Sequence, residues 1–275
     1  MNAEPRELMW RGSRRWTCPF CKYDSPAYTD VVAHIRMKHD GMQAEIITEP
    51  SLFRFPNEVP AGGYPLISCV MPTKDRPTFV AQSLRCFTAQ TYPNKELVIV
   101  ATGINLESVL EAYQDQNVYC IYFPTVDADV SVGAKRNIGA SHAKGEFIAN
   151  WDDDEWQSPN RLYEQWKSMR DDVQLSGIGQ PIFMDLETAE LYWYSGPMPH
   201  RGYVSGSSMM YRRSLWERLK FPAVNIGEDT AFLQEVDTRA VAHVSPGLNV
   251  SFVHAGNTVT KRIKEAPYVL LKQRL

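Results

Sequence analysis

Nowhere in the 275 residues is there a run of about 18 apolar residues, so no membrane-spanning helix is expected. The N-terminus is polar and arginine-rich without an apolar stretch, and no secretory signal is expected there. Cysteine is scarce. The five present are an odd number, and Cys69, Cys86 and Cys120 are scattered singly through apolar segments. They read as buried free thiols of a reducing compartment, which makes the cytoplasm the expected location. Net charge is scarce as well: at −3, the chain as a whole has no electrostatic reason to bind a polyanion. Internal repeats and low-complexity segments are also missing, which excludes solenoid and linker-like architectures.

What is present is a chain long enough for one sizeable α/β core plus a small appendage. Its charge is uneven. Residues 1–40 hold seven Lys/Arg against five acids, and the remainder holds 22 against 27. The sign of that imbalance suits an N-terminal module that touches polyanions.

That module carries Cys18-Pro19-Phe20-Cys21 and, twelve residues later, His34-Ile35-Arg36-Met37-Lys38-His39. A knuckle can bring two thiolates to one side of a tetrahedral ion, and a helix over the second segment carries both imidazoles to the other. Cys18, Cys21, His34 and His39 are therefore the expected ligands of a structural Zn²⁺. Over roughly residues 14–41 the pattern resembles a two-Cys, two-His zinc finger of ββα form. It departs at Ser25, where such fingers carry a core Phe; Tyr23 or Tyr28 would fill that space. The resemblance implies nucleic-acid contact near Asp30, Ala33 and Arg36. The alternative is a finger that docks to protein. Residues 42–64 read as a connector, with a short strand over Glu45–Thr48 and breaks at Pro50, Pro56, Pro60 and Gly62-Gly63.

From residue 65 to 260 apolar runs alternate with helical patterns, as in a mostly parallel sheet with helices on its faces. One run, Phe147-Ile148-Ala149-Asn150-Trp151, ends in Asp152-Asp153-Asp154-Glu155. Four adjacent carboxylates at the end of a buried strand repel one another unless a cation offsets them. Strand carboxyl ends are where ligands sit in such sheets, and oxygen donors suit Mg²⁺ or Mn²⁺. The plain alternative is a solvated acidic turn or a helix start.

Several motifs in fixed order sharpen this reading. They are Met71-Pro72-Thr73-Lys74-Asp75-Arg76-Pro77, Gln90 to Val100, Gly133-Ala134-Lys135-Arg136-Asn137-Ile138-Gly139, and Ala143 to Ala149 leading into the acids. Together they resemble a family-2 glycosyltransferase of the GT-A fold, a Rossmann-like nucleotide-diphospho-sugar transferase. The resemblance implies a nucleotide-sugar donor, a UDP-sugar first among them, and inversion at the anomeric carbon. It implies donor contacts from Thr73, Asp75, Arg76, Lys135, Arg136, Asp152 and Asp153, and Mn²⁺ or Mg²⁺ on Asp152, Asp154 and His254. A base is implied within Gly227-Glu228-Asp229, with Asp229 first and Glu228 the near alternative; both acids would also suit a helix start. The second strand departs from the family: it ends in Val100-Ala101-Thr102-Gly103 where an acid pair is usual, leaving the base open and Asp127 or Asp129 as substitutes. Residues 261–275 form a tail whose Lys261, Arg262 and Lys264 either order over a diphosphate or are solvated.

With a finger beside a transferase, the expected acceptor is DNA carrying a hydroxymethylated base, as in viral genomes and hence in a host cytoplasm. Such a base would be flipped out against aromatic groups, for which Trp151, Trp156, Tyr192, Trp193 and Tyr194 are candidates. The alternatives are transfer to a protein or surface glycan, and a nucleic-acid-binding protein whose transferase domain is inactive.

Overall fold

Near the N-terminus, β1 (Arg6–Trp10), β2 (Ser13–Thr17) and β3 (Asp24–Ser25) pair antiparallel in the order β1-β2-β3. The computed structural model describes the backbone of these strands and residues 62–103, 105–113, 117–123, 130–257 and 262–271. The zinc ligands expected at Cys18, Cys21, His34 and His39 lie outside the described residues, as do the connector strand over Glu45–Thr48 and Asp127 and Asp129.

The main sheet follows from runs that are apolar on both faces. β4 (Ile67–Lys74) is buried at every position but the last, and β5 (Lys95–Thr102) at every position but the first. Two-sided burial is what a parallel interior strand requires. Between them α1 (Pro77–Thr88) starts on Pro77, whose fixed φ suits a first helical turn. After β5 come α2 (Glu107–Leu110), β6 (Val118–Phe123), α3 (Val132–His142) and β7 (Phe147–Asn150). The helix expected over 106–116 is shorter: one α turn continues as a 3-10 turn to Tyr113. Beyond the acids lie β8 (Glu155–Gln157), α4 (Arg161–Ser168) and β9 (Leu175–Gly177). Then follow β10 (Ile182–Asp185), β11 (Leu191–Tyr194), β12 (Met210–Arg212), α5 (Arg213–Arg218) and α6 (Glu228–Gln234). β13 (Val241–His243), β14 (Asn249–Val253) and β15 (Tyr268–Leu270) complete the chain.

The strand order β13-β9-β12-β7-β4-β5-β6 makes a seven-stranded sheet in which β7, β4, β5 and β6 run parallel and β12 runs against both its neighbours. Strand periodicity sorts its side chains. Cys69, Met71, Leu97, Ile99, Phe147 and Ala149 enter one core beneath α1 and α4, whereas Val70 and Ile148 enter the other, beneath α3, α5 and α6. A second sheet of five strands, β15-β11-β10-β14-β8, stands beside the ends of β7 and β4. The expectation of three buried thiols holds for Cys69 and Cys86, but Cys120 is exposed because β6 is the sheet's edge strand. Among the described residues no helix is long and apolar enough to cross a membrane.

Candidate active site

A cavity of about 410 Å³ opens between the two sheets, at the carboxyl end of β4. β7 delivers Asp152, Asp153, Asp154 and Glu155 to its floor, and the chain relieves their repulsion by giving each hydrogen-bond donors, with Arg76 shared between Asp153 and Asp154. Asp152 receives two hydrogen bonds from the Arg136 guanidinium, at 2.9 and 3.3 Å. Asp153 is 3% exposed and accepts from the Thr73 hydroxyl at 2.6 Å and from Arg76 at 3.2 Å. Asp154 accepts from Arg76 at 2.8 Å, from the Asn257 amide at 3.2 Å, and lies 3.2 Å from His254 Nε2. Glu155 turns away under β14, where the Ser251 hydroxyl and the Asn249 amide each donate to it at 2.6 Å.

Burial and the neighbouring Asp154 charge push the Asp153 carboxyl up to about 7, against the opposing pull of Arg76 and Thr73. Glu155 is likewise pushed up, chiefly by burial. Beneath both lies Arg161, fully buried, which donates to the carbonyls of Asn150 and Ser207 and stacks 5.2 Å from Trp151. A guanidinium with all its donors used can be buried at this depth. It fixes the turn that aims the acids.

Lys135 and Arg136 are on the first turns of α3, but they face inward, 4% and 3% exposed. Lys135 Nζ donates to the Thr73 carbonyl at 2.8 Å and to the Thr102 hydroxyl at 2.7 Å, and burial lowers it to about 8. It ties together the ends of β4 and β5, and Thr102 is what the shortened motif at the end of β5 contributes. Arg136 reaches on to Glu228 at 3.3 Å. The first amides of α3 already have partners within the chain. Val132 N–H donates to the Asn225 side chain, Gly133 N–H to the Val224 carbonyl and Ala134 N–H to Ser131 Oγ. Gly133 is glycine because a Cβ there would collide with the Pro222 carbonyl.

Across the cavity, α6 brings Glu228 and Asp229. Glu228 is 6% exposed and committed to Arg136; burial raises it while Arg136 opposes. Asp229 Oδ1 accepts from the Thr230 amide at 2.7 Å, and its other oxygen lies directly against Gly206, where a Cβ would strike the carboxylate. Thr73, Arg76, Lys135, Arg136, Asp152, Asp153, Asp154, Glu228 and Asp229 all line this one cavity. Asp75 does not: it turns to the end of β5, packed against Gly103.

Two kinds of lining residue were read from the sequence only as parts of motifs, or, for Phe183 and Tyr268, not at all. Lys74 is exposed on the rim and, among the described residues, has no hydrogen-bond or ion-pair partner. The aromatic lining is Phe183, Tyr203, Phe252 and Tyr268, none of them singled out by their aromatic character. Trp151 is instead fully buried, bonded to Ser83, and Trp156 packs on the main core. Tyr192 and Tyr194 join a small cluster with Ile263, and Trp193, between them on β11, points to the sheet's other face. In the tail, Lys264 is held by Asp185 at 2.8 Å and Arg262 lies 3.9 Å from Glu265.

Of the expected ligands of a divalent cation, Asp154 Oδ2 and His254 Nε2 stand together at 3.2 Å, and Arg76, bound to the same oxygen at 2.8 Å, would have to give way to the ion. Among the described residues there is no group of three or more His, Cys, Asp or Glu placed to hold a metal. That donor set fits Mg²⁺ or Mn²⁺, which take few protein ligands and complete their shell with phosphates and water. Asp152, held by Arg136, is on the other side of Asp153.

Comparison with known proteins agrees with this architecture. The family described as Glycosyl transferase family 2 matches residues 68–221. An uncharacterized glycosyltransferase of Haemophilus influenzae is 26% identical over 181 residues, 61% of this chain and 70% of that protein. The crystal structure of S. aureus TarS 1-349 in complex with UDP-GlcNAc superposes with a TM-score of 0.54 at 15% identity, covering 70% of this chain and 59% of that one. Mannosyltransferase PcManGT from Pyrobaculum calidifontis, in complex with GDP-Man and Mn2+, gives 0.52 at 17% identity, covering 72% and 58%. The two superpositions show a shared fold, and the chain spans less than two thirds of each of those structures.

Proposed function

This chain belongs to glycosyl transferase family 2, and from that premise we propose that it transfers a sugar from a nucleoside-diphosphate donor to an acceptor hydroxyl in one inverting displacement. The observation that carries the proposal is the polarity of the cavity. Cations and the Asp152–Asp154 acids stand at one end, and Asp229, a carboxylate with no cationic partner among the described residues, stands at the other.

In this reading Thr73, Arg76, Asp153 and Lys135 shape the nucleoside end, and Lys74 meets the diphosphate. Asp154 and His254 would hold Mn²⁺ or Mg²⁺, which when bound supplies charge neutralisation for the departing diphosphate. Asp229 takes the proton of the acceptor hydroxyl as its oxygen bonds to the anomeric carbon and the bond to the phosphate oxygen breaks. Glu228 is the weaker candidate because Arg136 already binds it. A UDP-sugar is the first donor to test. Incubation with a panel of nucleotide sugars and Mn²⁺ should consume at least one donor, and Asp154→Ala should abolish that turnover. No consumption of any donor would sink the proposal.

A second reading is supported by the Cys18/Cys21 and His34/His39 spacing alone. It is a Zn²⁺-binding N-terminal module that brings the enzyme to DNA, with a hydroxymethylated base as acceptor. It expects one zinc per chain, lost in Cys18→Ser, together with weaker transfer to hydroxymethyl-containing DNA. Zinc-free protein with undiminished transfer would exclude it.

A further inference from the structure

The acceptor end of the cavity has a composition of its own. Of the four Lys/Arg side chains on the wall, Lys74, Arg76 and Lys135 stand with the Asp152–Asp154 acids, and Arg136 reaches from Asp152 to Glu228. Phe183, Tyr203 and Tyr268 line the same cavity with Glu228 and Asp229, and among the described residues Asp229 has no ion-pair partner. Resting on the transferase reading above, we infer that Phe183, Tyr203 and Tyr268 form the acceptor subsite and that it takes an uncharged sugar.

Three observations carry this. The first is charge. An acceptor with a phosphate next to its reacting hydroxyl would bring that phosphate against Asp229, a carboxylate with no ion-pair partner among the described residues, while Arg136 is already taken up by Asp152 and Glu228. A nucleotide flipped from DNA carries a phosphate on each side, so it meets the same repulsion.

The second is shape. The Phe183 and Tyr268 rings stand 5.5 Å apart at 80°, and Tyr194 braces Tyr268 from another side at 5.4 Å and 68°. Rings at right angles make a corner, suited to the C–H face and edge of a pyranose. A flat heterocycle calls for two parallel walls.

The third is hydrogen bonding. Among the described residues neither the Tyr203 nor the Tyr268 hydroxyl has a partner, so both remain available to acceptor hydroxyls. An exposed apolar side chain, Ile226 at 64%, borders the same mouth and adds no charge.

The test partitions donor turnover between transfer and hydrolysis. The full chain, with Mn²⁺ and a donor it consumes, is offered three probes: methyl glycosides of neutral hexoses, the corresponding hexose 6-phosphates, and a hydroxymethylcytosine duplex. The neutral glycosides should be glycosylated at least about tenfold faster than the phosphates or the duplex. In Tyr203→Ala and Tyr268→Ala the ratio of transfer to hydrolysis should fall about tenfold, the scale of one aromatic contact. Tyr203→Phe and Tyr268→Phe should recover the part of that loss due to the ring and keep a smaller deficit from the missing hydroxyl, which an unfolded variant would not do. Preference for the phosphates or the duplex, no glycosylation of any neutral probe, or an unchanged ratio in both alanine variants would overturn the subsite. Failure of the wild type to consume any donor would instead overturn the transferase reading itself.

Discussion

Arg136 grips Asp152 with two nitrogens, at 2.9 and 3.3 Å, while its Nε reaches Glu228 at 3.3 Å. One buried guanidinium thus joins the first acid after β7 to the first residue of α6, and so the donor end of the cavity to the acceptor end. Removing one partner of a buried pair leaves the others uncompensated, at a cost of about 3 kcal/mol. Arg136→Ala should lower the melting temperature clearly and abolish turnover. Arg136→Lys, which keeps the charge but not the fork, should recover part of the stability and little activity. Thermal denaturation alongside a donor-consumption assay checks both.

The two acids of α6 should separate kinetically. Asp229→Asn leaves the shape but removes the proton acceptor, and transfer should fall by about 10²- to 10⁴-fold. Glu228→Gln keeps an acceptor for Arg136 but removes the charge that pairs with it, and should act mainly on stability, with a smaller loss of rate. Single-turnover rates for the two variants decide it: a larger loss in Glu228→Gln would reverse the assignment.

Lys135 sets a pH limit. Burial holds its ammonium at about 8, below the ordinary lysine value of 10.5. Above pH 8 the cavity wall loses this positive charge, so binding of an anionic nucleotide sugar should weaken as pH rises through that value. The stability effect has the opposite sign. The folded value lies below the unfolded one, so protonation costs the folded state, and this penalty fades between about 8 and 10.5. Profiles of kcat/KM for donor against pH should show the basic limb, and Lys135→Gln should lack it.

Much of this fold is legible in short stretches of sequence. The two-sided apolar runs of β4 and β5 could only be interior strands, and the stop at Asp152 marked a strand's carboxyl end. The partners of the acids were not legible, because Thr73, Arg76, His254 and Asn257 are some 80 to 100 residues away in the chain from the carboxylates they meet. Nor was the inward turn of Lys135 and Arg136, since basic residues near a helix start look solvated until a buried acid is known to face them. The second sheet escaped for a similar reason. Its strands are three to five residues long, and β10 finds its parallel partner β14 some 70 residues later. Aromatic character decided least. Trp151 beside the acids could be read as a stacking group or as core packing and is a core residue, whereas Tyr268 comes from the tail and reaches the cavity only because β15 pairs with β11.

Gly206 offers a test of how closely the site is fitted. It sits in the 3-10 turn before β12, and an added Cβ would fall on the carboxylate and Cβ of Asp229. Asp229 sits on the first turn of α6 and cannot retreat without moving that helix, whose Glu228 is tied to Arg136. Rotating the side chain would clear the carboxylate but not its Cβ, so Gly206→Ala should displace the first turn of α6 together with the carboxylate. A misplacement of about 1 Å near the chemistry costs on the order of 10²-fold in rate. Loss of transfer should approach that of Asp229→Asn, while donor affinity, set at the other end of the cavity, changes little. Kinetics of Gly206→Ala in both the wild-type and the Asp229→Asn background resolve the question. The second substitution should add almost nothing to the first, and two independent, multiplying losses would mean that Gly206 acts elsewhere.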